Sequence, residues 1–299
     1  MRVLISGKHY PICGLNFFKW AFEELGHEVY SVGYFSGKTV PWEGNPEFPQ
    51  YIFPPDLAYS EDVPYWDLDD VLSKMPWKPD LIFQVDAGYY LRGKSDIPNA
   101  MFATDPHFLD YHAQESMVDY FFNPQPSTFK KYPKSIFLPW AYDPNIHKPD
   151  LKAEKIYDVV FIGLMYENRK RALAELSKFC KVFGKNAGII YDECRTFYNQ
   201  GKISFNWSSN NDIPMRLFEG MAYGNLVVTN RIEGLDLLFK EGKHYVGFSD
   251  IDELVEKVKY YLSHEKEMFK IAEAGYLEVE KHTYIERVKY VIKTIFPKG

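Results

Sequence analysis

Met1-Arg-Val-Leu-Ile-Ser-Gly-Lys-His-Tyr-Pro-Ile-Cys-Gly-Leu15 decides the fold class. Residues 1–6 make an apolar strand, and Gly7 to Gly14 form a loop bounded by glycines. The apolar period then changes: Leu15, Phe18, Ala21, Phe22 and Leu25 repeat at helical spacing until Gly26 stops the helix, and Val29 to Tyr34 resume as strand. Strand, loop, helix and strand in that order favour a parallel sheet with ligands at the carboxyl ends of its strands. Further strands are expected at 80–84, 100–104, 120–123 and 135–138, with an irregular Pro- and aromatic-rich excursion over 35–65.

A second α/β alternation follows residues 140–156, whose Pro144 and Pro149 among polar positions suit an interdomain linker. It predicts strands at 158–163, 203–205 and 226–229, helices at 167–180 and 214–223, and three final helices marked by Leu254, Val258 and Leu262, by Met268 and Ile271, and by Val288, Ile292 and Ile295. A chain of 299 residues exceeds the usual single core, so domains of 1–145 and 146–299 are expected.

Composition narrows the function classes. No apolar run approaches the roughly 18 residues of a membrane span, and the opening apolar run is too short and glycine-broken for a signal peptide, so a cytoplasmic protein is expected. Cys13, Cys180 and Cys194 are odd in number and lack metal-ligand spacing, which points away from disulfides and zinc. A net charge of -6 argues against a protein that binds by neutralising nucleic-acid phosphates. The 17% of aromatic residues first suggests a bulky core; any surplus suits the flat C–H faces of sugar rings.

Four segments can carry chemistry. In Ser204-Phe-Asn-Trp-Ser-Ser-Asn-Asn-Asp-Ile-Pro-Met-Arg-Leu-Phe-Glu-Gly-Met-Ala-Tyr-Gly224, Arg216 and Glu219 share a helix face. There a carboxylate can accept ribose hydroxyls while the arginine meets phosphate or orients the carboxylate; a plain surface ion pair is the alternative. Gly163 ends a strand before Glu167-Asn-Arg-Lys-Arg171 at a helix start, where backbone N–H groups and Arg169 suit a diphosphate, or else a solvated basic turn. The Gly7–Gly14 loop is not a P-loop, yet it places Gly14 amides and His9 at a strand end, where either can meet a sugar or acceptor if His9 is not an ordinary loop histidine. In Thr104-Asp-Pro-His-Phe-Leu-Asp-Tyr-His112, Asp105 or His107 can take a proton from a hydroxyl, while Asp105-Pro106 also fits a helix cap. Asp86, after another strand, is a rival; His107, Asp110 and His112 do not share a helix face, so no metal is expected.

From Asp158 onward the chain resembles the CgeB/YkvP-like glycosyltransferases of the GT-B group through Asp158-Val-Val-Phe-Ile-Gly163 with Arg169, Arg216-Leu-Phe-Glu-Gly-Met-Ala-Tyr-Gly224, and His282-Thr-Tyr-Ile-Glu-Arg287. The N-terminal half matches loosely, through Gly26-His-Glu-Val29 and Trp140-Ala-Tyr-Asp-Pro144. The resemblance implies two facing Rossmann-like domains with a cleft between them. It implies no cofactor, but a nucleotide-sugar co-substrate such as a UDP-sugar on the C-terminal domain, with Glu219 on the ribose and Arg169 near the phosphates; the candidate donor-binding residues are then Gly163, Arg169, Asn206, Arg216 and Glu219, with Gly14 and His9. Many relatives carry a second glutamate where this chain has Asn211, which removes its usual sugar contact. The resemblance also implies metal-independent transfer with retention to a hydroxyl of a glycan, protein, small molecule or modified nucleic acid. The alternatives are a non-catalytic nucleotide-sugar-binding or surface-layer protein and a sugar-nucleotide epimerase on the same fold.

Overall fold

The first strand, β1 (Arg2–Ser6), is buried after its opening residue, as its unbroken apolar run requires. Helix α1 (Gly14–Glu24) turns its buried Leu15, Phe17, Phe18, Ala21 and Phe22 to the core. After β2 (Glu28–Tyr34) come β3 (Leu57–Tyr59), β4 (Tyr65–Asp67), α2 (Leu68–Lys74), β5 (Leu81–Asp86), β6 (Tyr90–Arg92), β7 (Asn99–Ala103), α3 (His112–Met117), β8 (Tyr120–Asn123) and β9 (Ser135–Phe137). The structure is a computed structural model and describes residues 1–40, 44, 46–86, 88–186, 188–208 and 210–297.

Seven of these strands form one sheet in the order β3-β2-β1-β5-β7-β8-β9, with β4 and β6 paired separately. Every neighbour pair is parallel. The order runs outward from β1 in one direction and resumes from β5 in the other, so the switch point of a doubly wound sheet lies between β1 and β5. The excursion expected over 35–65 holds β3 near its end; Pro41, Trp42, Glu43 and Asn45 within it lie outside the described residues.

The second sheet comprises β10 (Tyr157–Ile162), β11 (Val182–Lys185), β12 (Gly201–Asn206), β13 (Leu226–Asn230) and β14 (Val246–Phe248) in the order β11-β10-β12-β13-β14, again wholly parallel. Its helices are α4 (Glu167–Leu176), α5 (Tyr191–Asn199), α6 (Met215–Ala222), α7 (Ile251–Ser263) and α8 (Glu265–Val279). Here the switch point lies between β10 and β12. Helix α6 lies close over β12 because position 220 is glycine: a Cβ there would stand 2.9 Å from Cβ of Ser204.

The chain divides into two compact units, Met1–Pro139 with Tyr284–Gly299, and Trp140–Thr283. This differs from the expected division at 145/146: the last helix, α9 (Tyr284–Ile295), belongs with the N-terminal unit. The reason is aromatic packing, because Tyr284 stacks on Phe17 at 5.1 Å and meets Phe18 edge-on at 5.1 Å. Local periodicity marks α9 as an amphipathic helix and carries no information about which sheet its apolar face covers.

Candidate functional site

In the second unit the site is built at the switch point. Arg216, on the first turn of α6, donates from Nε to the Ile162 carbonyl at 2.9 Å and from Nη1 to Asn206 Oδ1 at 3.1 Å. Its guanidinium thus bridges the carboxyl ends of β10 and β12. Asn206 is 1% exposed and donates from Nδ2 to Thr229 Oγ1 at 2.9 Å, so it orients Arg216 with both ends of its amide engaged. Gly163 takes φ +150°, and a Cβ there would sit 2.2 Å from Nη2 of Arg216. Only glycine gives the guanidinium this place.

Arg169, on the first turn of α4, is 6% exposed. It donates from Nε to the Trp207 carbonyl and from Nη1 to the Leu164 carbonyl, each at 2.8 Å. Its charge lies 4.8 Å from the Tyr166 ring centroid and 5.4 Å from that of Phe161, whose ring also carries Arg216 at 4.8 Å. Burial, with the neighbouring Arg216 charge adding to it, pulls Arg169 down to about 10, so it stays cationic at neutral pH. Among the described residues no carboxylate forms an ion pair with either arginine. Two guanidinium groups so placed repel one another, and carbonyls and ring faces offset only part of the cost. An anion at the end of β10 relieves it. The Gly163 amide, by contrast, donates to the Lys185 carbonyl at 3.1 Å.

Glu219 lies one turn beyond Arg216 on the same face, yet the two do not bond. Its partner is His147, with Nε2 3.5 Å from Oε1; the side chains are 8% and 19% exposed. Sequence reasoning missed His147. The available signal was Asp143-Pro-Asn-Ile-His147, a turn sequence whose histidine faces inward.

In the first unit the switch point places Gly7 against the Val85 carbonyl, one residue before Asp86, which ends β5. Asp86 is fully buried, and its Oδ2 finds no hydrogen-bond partner among the described residues. Burial pushes its carboxyl up to about 7, against the Tyr89 and Gly88 amides that favour the charge, and Asp105 adds to the rise. The Asp86 carbonyl accepts from the Thr104 amide at 3.0 Å and from the Tyr111 hydroxyl at 2.9 Å, which fixes the chain at Asp105. Asp105 is half-buried two residues past the end of β7, and its carboxylate accepts from Thr104 Oγ1 at 3.2 Å.

The cap expected at Asp105-Pro106 is a single turn, with Phe108 and Leu109 amides on the Asp105 carbonyl at 2.9 Å; the helix starts at His112. His107 leaves Nδ1 buried without a hydrogen-bond partner among the described residues. Gly14 opens α1 and is half-buried. His9 corrects the expectation of a ligand contact: it is 1% exposed, its Nε2 faces the Val32 carbonyl at 3.3 Å, and burial lowers it to about 4. It is a core histidine that ties the loop to β2. Among the described residues no group of three or more His, Cys, Asp or Glu is placed to hold a metal, and no helix is long and apolar enough to cross a membrane.

The two doubly wound units have the fold of the GT-B glycosyltransferases. Residues 153–293 match the glycosyl transferase-like family, a group 1 type. The chain is similar to Anabaena HepE solved with UDP and glucose (TM-score 0.69, 8% identity, 98% of this chain and 99% of that one). It is also similar to sucrose-phosphate synthase from Thermosynechococcus elongatus (0.66, 9%, 99% and 99%). A third similar structure is an alpha-glucosyltransferase in complex with UDP-glucose and DNA containing an abasic site (0.66, 12%, 98% and 99%). No curated protein matches by sequence.

Proposed function

We propose that the protein transfers a sugar from a UDP-sugar to a hydroxyl-type acceptor, with retention and without a metal, as a CgeB/YkvP-like member of its group. The observation that carries this reading is the pair of guanidinium groups on Phe161 at the switch point, that of Arg169 buried and that of Arg216 half-buried, neither in an ion pair with a carboxylate among the described residues and both able to take the donor diphosphate. As the glycosidic bond breaks, the diphosphate gains charge, and Arg169 and Arg216 stabilise it electrostatically in place of a metal. Glu219 accepts the ribose hydroxyls. The solved neighbours with UDP, glucose or UDP-glucose support a uridine donor.

On the acceptor side, Asp105 is the first candidate for taking a proton, with His107 beside it and Asp86 behind it as a buried acid poised near neutrality. One neighbour was solved with DNA; the net charge of -6 argues against carrying that acceptor over.

The test is UDP release from a panel of UDP-sugars, with and without candidate acceptors, and with and without EDTA. Acceptor-dependent release that EDTA leaves unchanged supports the reading. An epimerised donor without release indicates the epimerase, and binding with neither outcome indicates the non-catalytic protein.

A further inference from the structure

The chain enters the second unit through one tight turn. The Asp143 carboxylate accepts from the Asn145 amide at 2.8 Å, and the Asp143 carbonyl accepts from the Ile146 and His147 amides at 3.2 and 2.8 Å. This turn drives His147 inward to 7% exposure, edge-on to Tyr223 at 5.8 Å, and Tyr223 is stacked on Tyr198 at 5.2 Å. The imidazole is therefore held on its ring face and at Nδ1, which lies 3.2 Å from both the amide nitrogen and the carbonyl oxygen of Asp143.

Its other nitrogen faces Glu219. A carboxylate only accepts, so the ring atom before it must carry hydrogen. With Nδ1 accepting from the Asp143 amide the ring is neutral with its proton on Nε2; with Nδ1 donating to the carbonyl, both nitrogens are protonated. In either state a protonated Nε2 lies 3.5 Å from Glu219 Oε1.

Arg216, three residues before Glu219 on α6, turns its Nε and Nη1 to Ile162 and Asn206 and forms no ion pair with the carboxylate among the described residues. We propose that His147 is the positioning residue of the donor site: it holds Oε1 of Glu219 so that Oε2 is presented to the ribose. This rests on the reading of Glu219 as the ribose-binding group. The sugar-bearing end of the donor is left to other residues, so His147 sets nucleoside affinity and not the chemical step.

The experiment is calorimetric titration of uridine and UDP into wild type, His147→Gln, His147→Asn, His147→Phe, Glu219→Ala and the His147→Phe/Glu219→Ala double variant, with kcat at saturating UDP-sugar. Gln places an N–H donor near the imidazole Nε2, Asn is too short to reach, and Phe fills the space without a donor. His147→Phe should weaken uridine about fivefold to tenfold, the value of one hydrogen bond. His147→Asn should match it, His147→Gln should stay within about twofold of wild type, and kcat should hold in all three. In the Glu219→Ala background His147→Phe should cost nothing further. Equal losses in both backgrounds, or no difference between Gln and Asn, overturns the proposal; the Gln and Asn pair decides it even if the Phe variant does not fold. If Glu219→Ala itself leaves uridine binding unchanged, the ribose reading fails and the positioning role goes with it.

Discussion

Arg169 and Arg216 share one aromatic ring: their guanidinium carbons lie 5.4 and 4.8 Å from the centroid of Phe161, on residues from two different helices. Arg169 adds a fork to two backbone carbonyls, Trp207 and Leu164. A lysine ammonium cannot reproduce that planar fork. Arg169→Lys should therefore retain charge yet lower kcat by on the order of a hundredfold, as expected for loss of one oriented donor to a developing anion. Steady-state kinetics at saturating donor check this, and a kcat within about twofold of wild type would show that charge alone suffices.

Gly163 makes a separate prediction because it touches no ligand in the proposed scheme. Its φ of +150° and the 2.2 Å approach of Arg216 leave no room for a Cβ. Gly163→Ala should cost about 1–3 kcal/mol of stability in urea denaturation and, by displacing Arg216, should also weaken UDP. A variant with normal UDP affinity would place the diphosphate away from Arg216.

Asp86 makes stability depend on pH. Its folded-state value of about 7 lies above the ordinary carboxylate value of 3.8, so the folded protein binds a proton that the unfolded chain has released between those pH values. Stability from this group is intact below the lower value and falls as pH rises to the upper one, a loss on the order of 4 kcal/mol. Asp86→Asn removes the titration. Its melting temperature relative to wild type should accordingly rise between pH 5 and pH 8, and a constant difference across that range would contradict the assignment.

The sequence carried the parallel α/β grammar because each strand and helix has its own period. Strands β1, β2, β5, β7, β8, β9, β10, β12 and β13 lie where apolar runs predict them. The short β3, β4 and β6 were not legible, since three residues set no period, and α5 was missed because its Tyr, Phe and Thr residues resemble a loop at that length. Within the site, the Arg216–Glu219 spacing pointed to one face, but spacing did not reveal that Arg216 turns back onto β10 and β12 or that a histidine far away in sequence meets Glu219. His9 failed for the same reason: a loop histidine and a buried one look alike until the neighbouring strand is in place.

The central claim is that the second unit holds a nucleoside diphosphate with its phosphates on the two arginines. Titrating UDP and uridine into wild type and Arg169→Ala tests it most directly. Wild type should bind UDP at least about tenfold more tightly than uridine, and Arg169→Ala should close most of that gap while leaving uridine unmoved. Equal affinities of wild type for UDP and uridine, or a gap that survives the substitution, would contradict it.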